Sequence, residues 1–329
     1  MHEAQAGTGA APLLEVSDLY VQYGQGADAL QAVAGVSLEI ARGESLGLVG
    51  ESGCGKSSLG RALLQLEPIH AGEVRFAGQS VAGLRGRALL GFRRRAQMVF
   101  QDPFGSLNPR LSVGGALDEV LRVHGLGDAA ARRARIEELL TAVGLDPSYA
   151  YRYPHEFSGG QRQRVGIARA LAVQPDLIIA DEPVSALDVS VQVQILNLFR
   201  DLRQRLGLTY LFIAHDLAVV RYVCDRVLVM YRGRVVESGP AADVFARPTH
   251  PYARLLVDAV PDVEKGLRLR GSARPAAAVA EAVGEAPGGC AFAPRCPLAQ
   301  ARCRLERPEL RAVGVGRTAA CHFAEEPVS

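Results

Sequence analysis

The feature that most constrains the fold is an octapeptide at residues 50–57, Gly-Glu-Ser-Gly-Cys-Gly-Lys-Ser, which fits the pattern G-x-x-x-x-G-K-[S/T]. It follows the apolar run 45–49, predicted as a strand buried on both faces, and precedes a helix predicted over residues 56–64. In this context the glycines let backbone N–H groups face phosphate oxygens, and a turn that merely caps a helix is the weaker alternative. The predicted phosphate-binding residues are Gly50, Glu51, Ser52, Gly53, Cys54, Gly55, Lys56, Ser57 and Ser58.

The use of lysine supports this interpretation. Of the 37 Lys and Arg residues, only Lys56 and Lys265 are lysines. A chain that uses arginine almost everywhere but keeps a lysine in this loop needs a compact ammonium group there. We expect Lys56 to reach the β- and γ-phosphates of a nucleotide and Ser57 to place its hydroxyl on Mg²⁺.

Two carboxylates, Asp181 and Glu182, follow a second apolar run at residues 177–180. Ligands of open α/β sheets bind at the carboxyl ends of the strands, so this pair is predicted to lie beside the phosphate loop. Asp181 is predicted to hold Mg²⁺ through water, and Glu182 to orient and deprotonate an attacking water molecule. An isolated Asp-Glu pair would more often be a solvated turn.

Two more polar residues end predicted strands. His215 follows the run 210–214 and is predicted to sense a γ-phosphate, although a lone histidine is more often structural. Gln101 follows the predicted strand 97–100, and its neutral side chain is suited to contacting Mg²⁺ or water. Each of these two signals is weak alone.

A second anion-binding turn is predicted at residues 157–164, Phe-Ser-Gly-Gly-Gln-Arg-Gln-Arg, where a helix opens. A capping role explains Ser158. It does not explain Gly159 and Gly160, because each glycine weakens a helix by about 1 kcal/mol. Ser158, Gly159, Gly160 and Gln161 are therefore predicted to bind a phosphate.

The order of the predicted elements indicates an α/β fold. Strands alternate with helices, which is typical of a parallel sheet covered on both faces, and two alternating runs before residue 41 predict antiparallel strands. Residues 12–260 are predicted to form one nucleotide-binding domain with a helical subdomain at about 104–172. The composition then predicts a linker over 261–288 and a small separate four-cysteine module over 289–325.

The composition also excludes several classes of protein. A formal charge of +2 without a basic stripe gives no sign of nucleic-acid binding. The first residues lack a secretory signal pattern, and no apolar run reaches the length that crosses a bilayer. We therefore expect a cytosolic chain that reaches the membrane only through a partner, and in that compartment structural disulfides are disfavoured.

Taken in order along the chain, these motifs resemble the nucleotide-binding domain of ATP-binding cassette (ABC) proteins over about residues 12–260. The resemblance rests on residues 50–57, Gln101, residues 158–161, Asp181 and Glu182, residues 185–188 (Ser-Ala-Leu-Asp) and His215. It implies a P-loop NTPase (RecA-like) fold with an antiparallel β subdomain, an ATPase activity, and ATP with Mg²⁺ as ligands.

The resemblance further implies that two domains pair head to tail. Ser158 and Gly160 of one chain would then contact the γ-phosphate held by the other chain, Tyr23 would stack on adenine, and Asp188 would link the two sites. Phe157 replaces the leucine that is usual in the family, which exchanges one apolar residue for another.

Four of the six cysteines lie in the last 40 residues, at Cys290, Cys296, Cys303 and Cys321. Their spacings are wider than in most zinc ribbons. Four thiolates in a segment too small for its own core suggest a metal or cluster that supplies folding energy. Unrelated free thiols and redox disulfides are the alternatives.

This cysteine pattern, with residues 250–252 and 104–110, resembles the dipeptide/oligopeptide importer ATPases, and residues 108–110 and 161–164 are more similar to the second ("F-type") ATPase of such importers than to the first ("D-type"). That resemblance implies a [4Fe–4S] cluster on the four cysteines, with tetrahedral Zn²⁺ as the second choice.

The same resemblance implies the partners. They are a second ABC ATPase subunit of the D-type, two transmembrane permease subunits and an extracytoplasmic solute-binding protein, with no nucleic acid. It places the chain at the cytoplasmic face of the membrane, powering import of di- or oligopeptides or related small solutes. The alternative is a soluble ABC ATPase that acts in DNA repair or translation.

Overall fold

Two β-sheets form the framework of the chain. The structure is a computed structural model that describes residues 11–24, 26, 29–102, 105, 107–260 and 288–324. The strands are β1 Leu14–Tyr23, β2 Leu30–Ile40, β3 Ser45–Val49, β4 Ala71–Phe76, β5 Gln79–Ser80, β6 Ala96–Val99, β7 Leu177–Asp181, β8 Thr209–Ala214, β9 Arg226–Tyr231, β10 Arg234–Pro240, β11 Arg311–Gly314 and β12 Arg317–Ala319. The smaller sheet is antiparallel, in the order β2-β1-β4-β5, and the larger has the order β11-β12-β10-β9-β3-β8-β7-β6.

The centre of the larger sheet is parallel. β3 pairs in parallel with β8 on one side and β9 on the other, and β7 lies between β8 and β6 in the same direction. Every residue of β3, β7 and β8 is buried, which explains why these runs are apolar without alternation. Because the strands run in one direction, the loops after β3, β6, β7 and β8 meet at one edge.

The helices cover this sheet and build a helical region on one side. They are α1 Lys56–Leu63, α2 Gly86–Arg95, α3 Val113–Val123, α4 Ala129–Ala142, α5 Gly159–Leu171, α6 Val189–Leu206, α7 Leu217–Val223, α8 Ala241–Ala246, α9 Pro251–Asp258 and α10 Ala301–Leu305. Helices α3, α4 and α5 lie within the region of about 104–172 that the sequence predicts to be a helical subdomain. Within the described part of the chain, no helix combines the length and hydropathy needed to span a membrane.

Two apolar cores lie on opposite faces of the larger sheet. In β7, Ile178 and Ala180 belong to the core shared with α6, whereas Leu177 and Ile179 belong to the core shared with the smaller sheet. Neighbouring residues therefore serve different cores, as the pleat of a strand requires. Because the larger sheet is packed between these two cores, the strand ends that carry polar residues have fixed positions.

The C-terminal segment, residues 288–324, is not the separate module that the composition predicts. Its strands β11 and β12 form a hairpin, and β12 pairs with β10, so the segment extends the larger sheet. Phe292 is 1% exposed and belongs to the core shared with α6. The segment is too small to bury its own apolar side chains, so it uses the core of the main domain. Apart from residue 288, the predicted linker lies outside the described residues.

Candidate functional site

The loop after β3 curls around the ammonium group of Lys56. Lys56 Nζ donates to the backbone oxygens of Gly50 (2.7 Å) and Glu51 (3.0 Å) and lies 3.9 Å from Cys54 Sγ. Gly55 caps α1 with a φ of +102°, and a Cβ there would lie 2.0 Å from the backbone oxygen of Ala32, so only glycine fits. The loop and the start of α1 thus turn N–H groups and one ammonium group toward a shared space, an arrangement that binds phosphate.

Ser57 and Asp181 meet at the same edge although they lie on different elements. Ser57, in the first turn of α1, donates from Oγ to Asp181 Oδ1 at 2.8 Å. Burial raises the pKa of the Asp181 carboxyl above its usual range, and the hydrogen bond from Ser57 acts in the opposite direction. A hydroxyl and a carboxylate oxygen are ligands that Mg²⁺ accepts alongside phosphate oxygens and water. The two residues that the sequence predicts for Mg²⁺ thus lie side by side, and their role as metal ligands stays a prediction.

Glu182 lies at the centre of a polar cluster. Its Oε2 is 3.1 Å from His215 Nδ1 and accepts from Gln101 Nε2 at 3.2 Å, and its Oε1 is 3.9 Å from Lys56 Nζ. The backbone of Glu182 has a φ of +45° and donates its N–H to Ile213. A non-glycine residue in this conformation is strained and is commonly held so at functional sites. The structure thus brings Gln101 and His215, the two polar residues predicted at strand ends, into contact with Glu182, the predicted base.

Lys56, Ser57, Gln101 and Glu182 line a cavity of about 660 Å³, within the range of small-ligand sites, whereas Asp181 and His215 are not among its described lining residues. Tyr23 lies at its rim and donates from its phenol to Ser58 Oγ at 3.1 Å. Gly50, Glu51 and Cys54 belong to the same loop but are not among the described residues that line this cavity. Of the residues predicted from the sequence, the cavity is lined by Tyr23, Ser52, Gly53, Gly55, Lys56, Ser57, Ser58, Gln101 and Glu182.

The second predicted anion turn is well formed but lies elsewhere. Ser158 Oγ accepts from the Gln161 N–H at 3.3 Å, and Gln161 Oε1 accepts from the Ser158 N–H at 3.0 Å, which is a reciprocal cap at the start of α5. Residues 158–161 are not among the described residues that line the 660 Å³ cavity of their own chain. A phosphate bound at this turn would therefore belong to a second site or to another subunit.

Packing supplies a reason for Gly160 that the sequence does not reveal. A Cβ at Gly160 would lie 2.4 Å from Val191 Cγ1, on α6, so the close approach of the two helices requires glycine. At Gly159 a Cβ would lie 3.3 Å from Leu187 Cδ2. Gly159 and Gly160 thus allow the turn to pack closely against α6 and against the segment that precedes it, in addition to exposing the N–H groups of the turn.

Asp188 caps α6. Its Oδ1 accepts from the Val191 N–H at 3.0 Å and from Ser190 Oγ at 2.7 Å, and these hydrogen bonds hold the pKa of its carboxyl below the usual range. Like the Ser158 turn, Asp188 is not among the described residues that line the 660 Å³ cavity.

Cys290, Cys296, Cys303 and Cys321 converge on one small cavity of about 20 Å³ and are all free thiols. Burial raises the pKa of the Cys290, Cys296 and Cys321 thiols, and neighbouring thiols raise it further. Across the described ranges, no group of three or more His, Cys, Asp or Glu side chains is arranged to hold a metal ion. The donor atoms suit a soft metal, but their arrangement does not support the predicted [4Fe–4S] cluster or Zn²⁺.

Comparison with known proteins decides the family. The chain matches the ABC transporter model over residues 33–185 and the oligopeptide/dipeptide transporter C-terminal region model over residues 236–303. It is 50% identical over 315 residues to a Brucella ovis protein whose name describes a peptide import ATP-binding protein, covering 94% of this chain and 97% of the relative. A Bacillus subtilis protein whose name describes an oligopeptide transport ATP-binding protein is 45% identical over 321 residues, 95% of both chains. This chain belongs to the oligopeptide/dipeptide family of ABC transporter ATP-binding subunits.

Solved structures support the fold of this ABC subunit. The cbiO1 protein of Clostridium perfringens, part of an ABC transporter complex, matches with a TM-score of 0.64 at 28% identity, over 72% of this chain and 92% of that protein. A second ATP-binding cassette, solved as a dimer in a post-hydrolysis state with ADP and Pi, matches with a TM-score of 0.62 at 32% identity, over 69% and 98%. The predicted ABC ATPase fold is confirmed, and the subunit is an ATPase.

The structure adds residues to the site of this ABC subunit that the motifs do not include. Tyr252, on α9, accepts the Glu51 N–H on its phenol oxygen at 2.7 Å. Ala291 and Arg307, from the C-terminal segment, line the 660 Å³ cavity. In the sequence, Tyr252 directly follows the His-Pro pair 250–251, a segment that contributes only to the family resemblance. Nothing in the sequence pointed to Arg307.

Proposed function

We propose that this chain powers import of di- or oligopeptides or related small solutes, as one of two ATPase subunits that close on ATP. The observation that carries the proposal is the division of phosphate-binding groups within one chain. The loop 50–57 faces the 660 Å³ cavity, and the capped turn at Ser158 lies apart from it. A second subunit that brings its own Ser158-like turn to this cavity would complete the site. The names of two relatives describe peptide import and oligopeptide transport, and these names support the proposed class of cargo.

The chemistry assigned to the site is phosphoryl transfer to water. The transition state is loose, so positioning and charge neutralisation supply most of the catalysis. Lys56 neutralises phosphate charge, Glu182 accepts the proton of the attacking water, and His215 and Gln101 hold the Glu182 carboxylate in place. Ser57 and Asp181 would hold Mg²⁺, which supplies further positive charge. Loss of the γ-phosphate then removes the contact between subunits and opens the pair.

The finer composition of the complex is part of the same proposal. The partner ATPase is a D-type paralogue, this chain is the F-type member, and two transmembrane permeases hold the pair at the cytoplasmic face. An extracytoplasmic solute-binding protein delivers the cargo. The proposed boundaries are those given by the sequence, with a nucleotide-binding domain over 12–260, a linker over 261–288 and the four-cysteine segment over 289–325.

Purification from native membranes after mild solubilisation tests this function directly. We expect a tagged chain to retain two integral membrane subunits and a second ATPase, and the complex in proteoliposomes to couple peptide uptake to ATP hydrolysis. Recovery of the chain with nucleic acid or ribosomes, and without membrane subunits, would instead support the soluble ABC ATPase.

Replacing Ser158 by aspartate tests the role of the second turn. Aspartate caps a helix about as well as serine, so the thermal unfolding midpoint should stay near that of the wild type. Its charge would repel a γ-phosphate approaching from a partner subunit, and we expect kcat to fall at least about tenfold. ATP affinity of the isolated chain should be unchanged because the turn does not line its own cavity.

Ser158→Ala is the matched control, since it removes the cap without adding charge. It should lower stability by about 1 kcal/mol and reduce kcat less than Ser158→Asp does. A Ser158→Asp enzyme with wild-type kcat contradicts a role of the turn in hydrolysis.

We further propose that the four cysteines bind a [4Fe–4S] cluster, with Zn²⁺ as the alternative, and assign no step of hydrolysis to it. The soft ligand set and the presence of all four thiols at one cavity favour a metal, and binding would require the thiols to move from the arrangement in the structure, which does not itself form a metal site. Anaerobic purification should give a brown protein with iron and sulfide in a 1:1 ratio, and Cys303→Ser should lose both. Stoichiometric zinc in a colourless protein supports the alternative, and a protein without either metal contradicts both.

A further inference from the structure

An ion pair joins the C-terminal segment to the phosphate loop across 244 residues of sequence. Arg295 donates from Nη1 to Glu51 Oε2 and from Nη2 to Glu51 Oε1, both at 2.7 Å. Two parallel bonds from a guanidinium to a carboxylate form the strongest common pairing geometry. The Arg295 side chain is 27% exposed and that of Glu51 44%, so solvent screens the pair only in part.

The side chain of Arg295 lies beside two buried aromatic rings, those of Phe292 and Tyr231. Arg295 ends the short 3₁₀ turn Ala293–Arg295, directly before Cys296, and its guanidinium carbon lies 5.8 Å from the centre of the Phe292 ring and 5.9 Å from that of Tyr231. Phe292 packs against Tyr231 and Tyr252 with ring centres 5.3 and 5.4 Å apart. Since these rings belong to the core of the main domain, the position of Arg295 is fixed relative to the sheet.

Glu51 is restrained at three places. Arg295 binds its side chain, Tyr252 Oη accepts its N–H at 2.7 Å, and its backbone oxygen accepts from Lys56 Nζ at 3.0 Å. Glu51 is the second residue of the phosphate loop. Arg295 and Tyr252 therefore hold the loop from outside, and Lys56 holds it from within. The guanidinium of Arg295 also keeps the pKa of the Glu51 carboxyl below its usual range, so the carboxylate is charged at neutral pH.

That charge bears on nucleotide binding. Glu51 places a carboxylate in the loop that receives a triphosphate, and like charges repel. Arg295 neutralises the carboxylate. A second arginine of the same segment, Arg307, lines the 660 Å³ cavity. The C-terminal segment therefore supplies positive charge to a site that lies in the main domain.

We propose that Arg295 acts on ATP binding through Glu51, so that ATP affinity depends on the C-terminal segment through the Arg295–Glu51 pair. The pair neutralises the loop carboxylate, whose unpaired charge would repel the phosphates. This role lies within the single chain and involves neither the cargo nor the partner subunits.

A double-mutant cycle on the full-length chain tests this, with ATP dissociation constants measured by calorimetry in Mg²⁺ buffer. Arg295→Met should raise the Kd for ATP about tenfold, because it leaves the Glu51 carboxylate unpaired beside the phosphates. Glu51→Gln alone should change Kd less than about threefold, and the double variant should return to within about threefold of wild type. The defect of Arg295→Met should also shrink as salt rises.

Arg302→Met is the matched control. Arg302 belongs to the same segment and makes a similar bidentate pair, with Glu306 at 2.7 and 3.0 Å, away from the loop. It should leave Kd unchanged. An Arg295→Met chain that binds ATP as the wild type does, or one whose weak binding is not restored by Glu51→Gln, overturns the proposal, even if its thermal unfolding midpoint falls.

Discussion

Replacing Glu182 by glutamine should reduce kcat for ATP hydrolysis by about 10²–10⁴-fold while ATP binding persists. Glutamine has nearly the same shape and can still bond His215 and Gln101, which contact Glu182 Oε2 at 3.1 and 3.2 Å. It cannot accept the proton of the attacking water. The expected consequence is that the ATP-bound closed pair accumulates, because the γ-phosphate that joins the subunits is not removed.

Steady-state phosphate release, ATP dissociation constants and size-exclusion chromatography with ATP measure these three properties together. Glu73→Gln is a suitable control, since Glu73 lies on β4 and pairs with Arg75 at 3.0 Å, away from the cavity. Hydrolysis by Glu182→Gln at close to the wild-type rate would refute the assignment of Glu182 as the base.

Replacing Lys56 by alanine should weaken ATP binding about 10- to 150-fold, since a charge-assisted hydrogen bond contributes about 1.5–3 kcal/mol. The Lys56 side chain is 4% exposed, and its ammonium group donates to the backbone oxygens of both Gly50 and Glu51. Its loss removes a phosphate ligand and leaves two loop oxygens without their donor. Calorimetry with ATP, together with the thermal unfolding midpoint, separates lost binding from lost stability.

Lys56→Arg tests whether ATP affinity depends only on the positive charge at position 56 or also on the shape of the side chain. The loop closes around Nζ, with Gly50 O at 2.7 Å and Cys54 Sγ at 3.9 Å, and this space does not accept a planar guanidinium. We therefore expect Lys56→Arg to bind ATP nearly as weakly as Lys56→Ala, which agrees with the retention of lysine in an arginine-rich chain. Near-normal affinity in Lys56→Arg would show that charge alone suffices.

Much of the site could be read from the sequence because it is encoded locally. The glycines of residues 50–55, the lysine that follows and the helix start at Lys56 form one continuous segment whose backbone conformation selects its residues. Asp181 and Glu182 follow an apolar strand, and parallel strands bring such ends to one edge whatever the rest of the chain does. The meeting of Ser57 with Asp181 at 2.8 Å follows from these two local patterns.

Other features came only from tertiary structure. The C-terminal segment was expected to stand apart, yet its hairpin extends the larger sheet through β10, and Phe292 enters the main core. Gly160 faces Val191 on another helix, a contact with no periodic signature along the chain.

Short-range periodicity and backbone requirements specify the fold class, the phosphate loop and the carboxylates at the sheet edge, so these features could be predicted without coordinates. The contacts of Tyr252 and Arg295 with Glu51 span 201 and 244 residues and are seen only in the folded chain. Such pairs depend on how the sheet and the C-terminal segment pack together, and a single sequence contains no local pattern that records that packing.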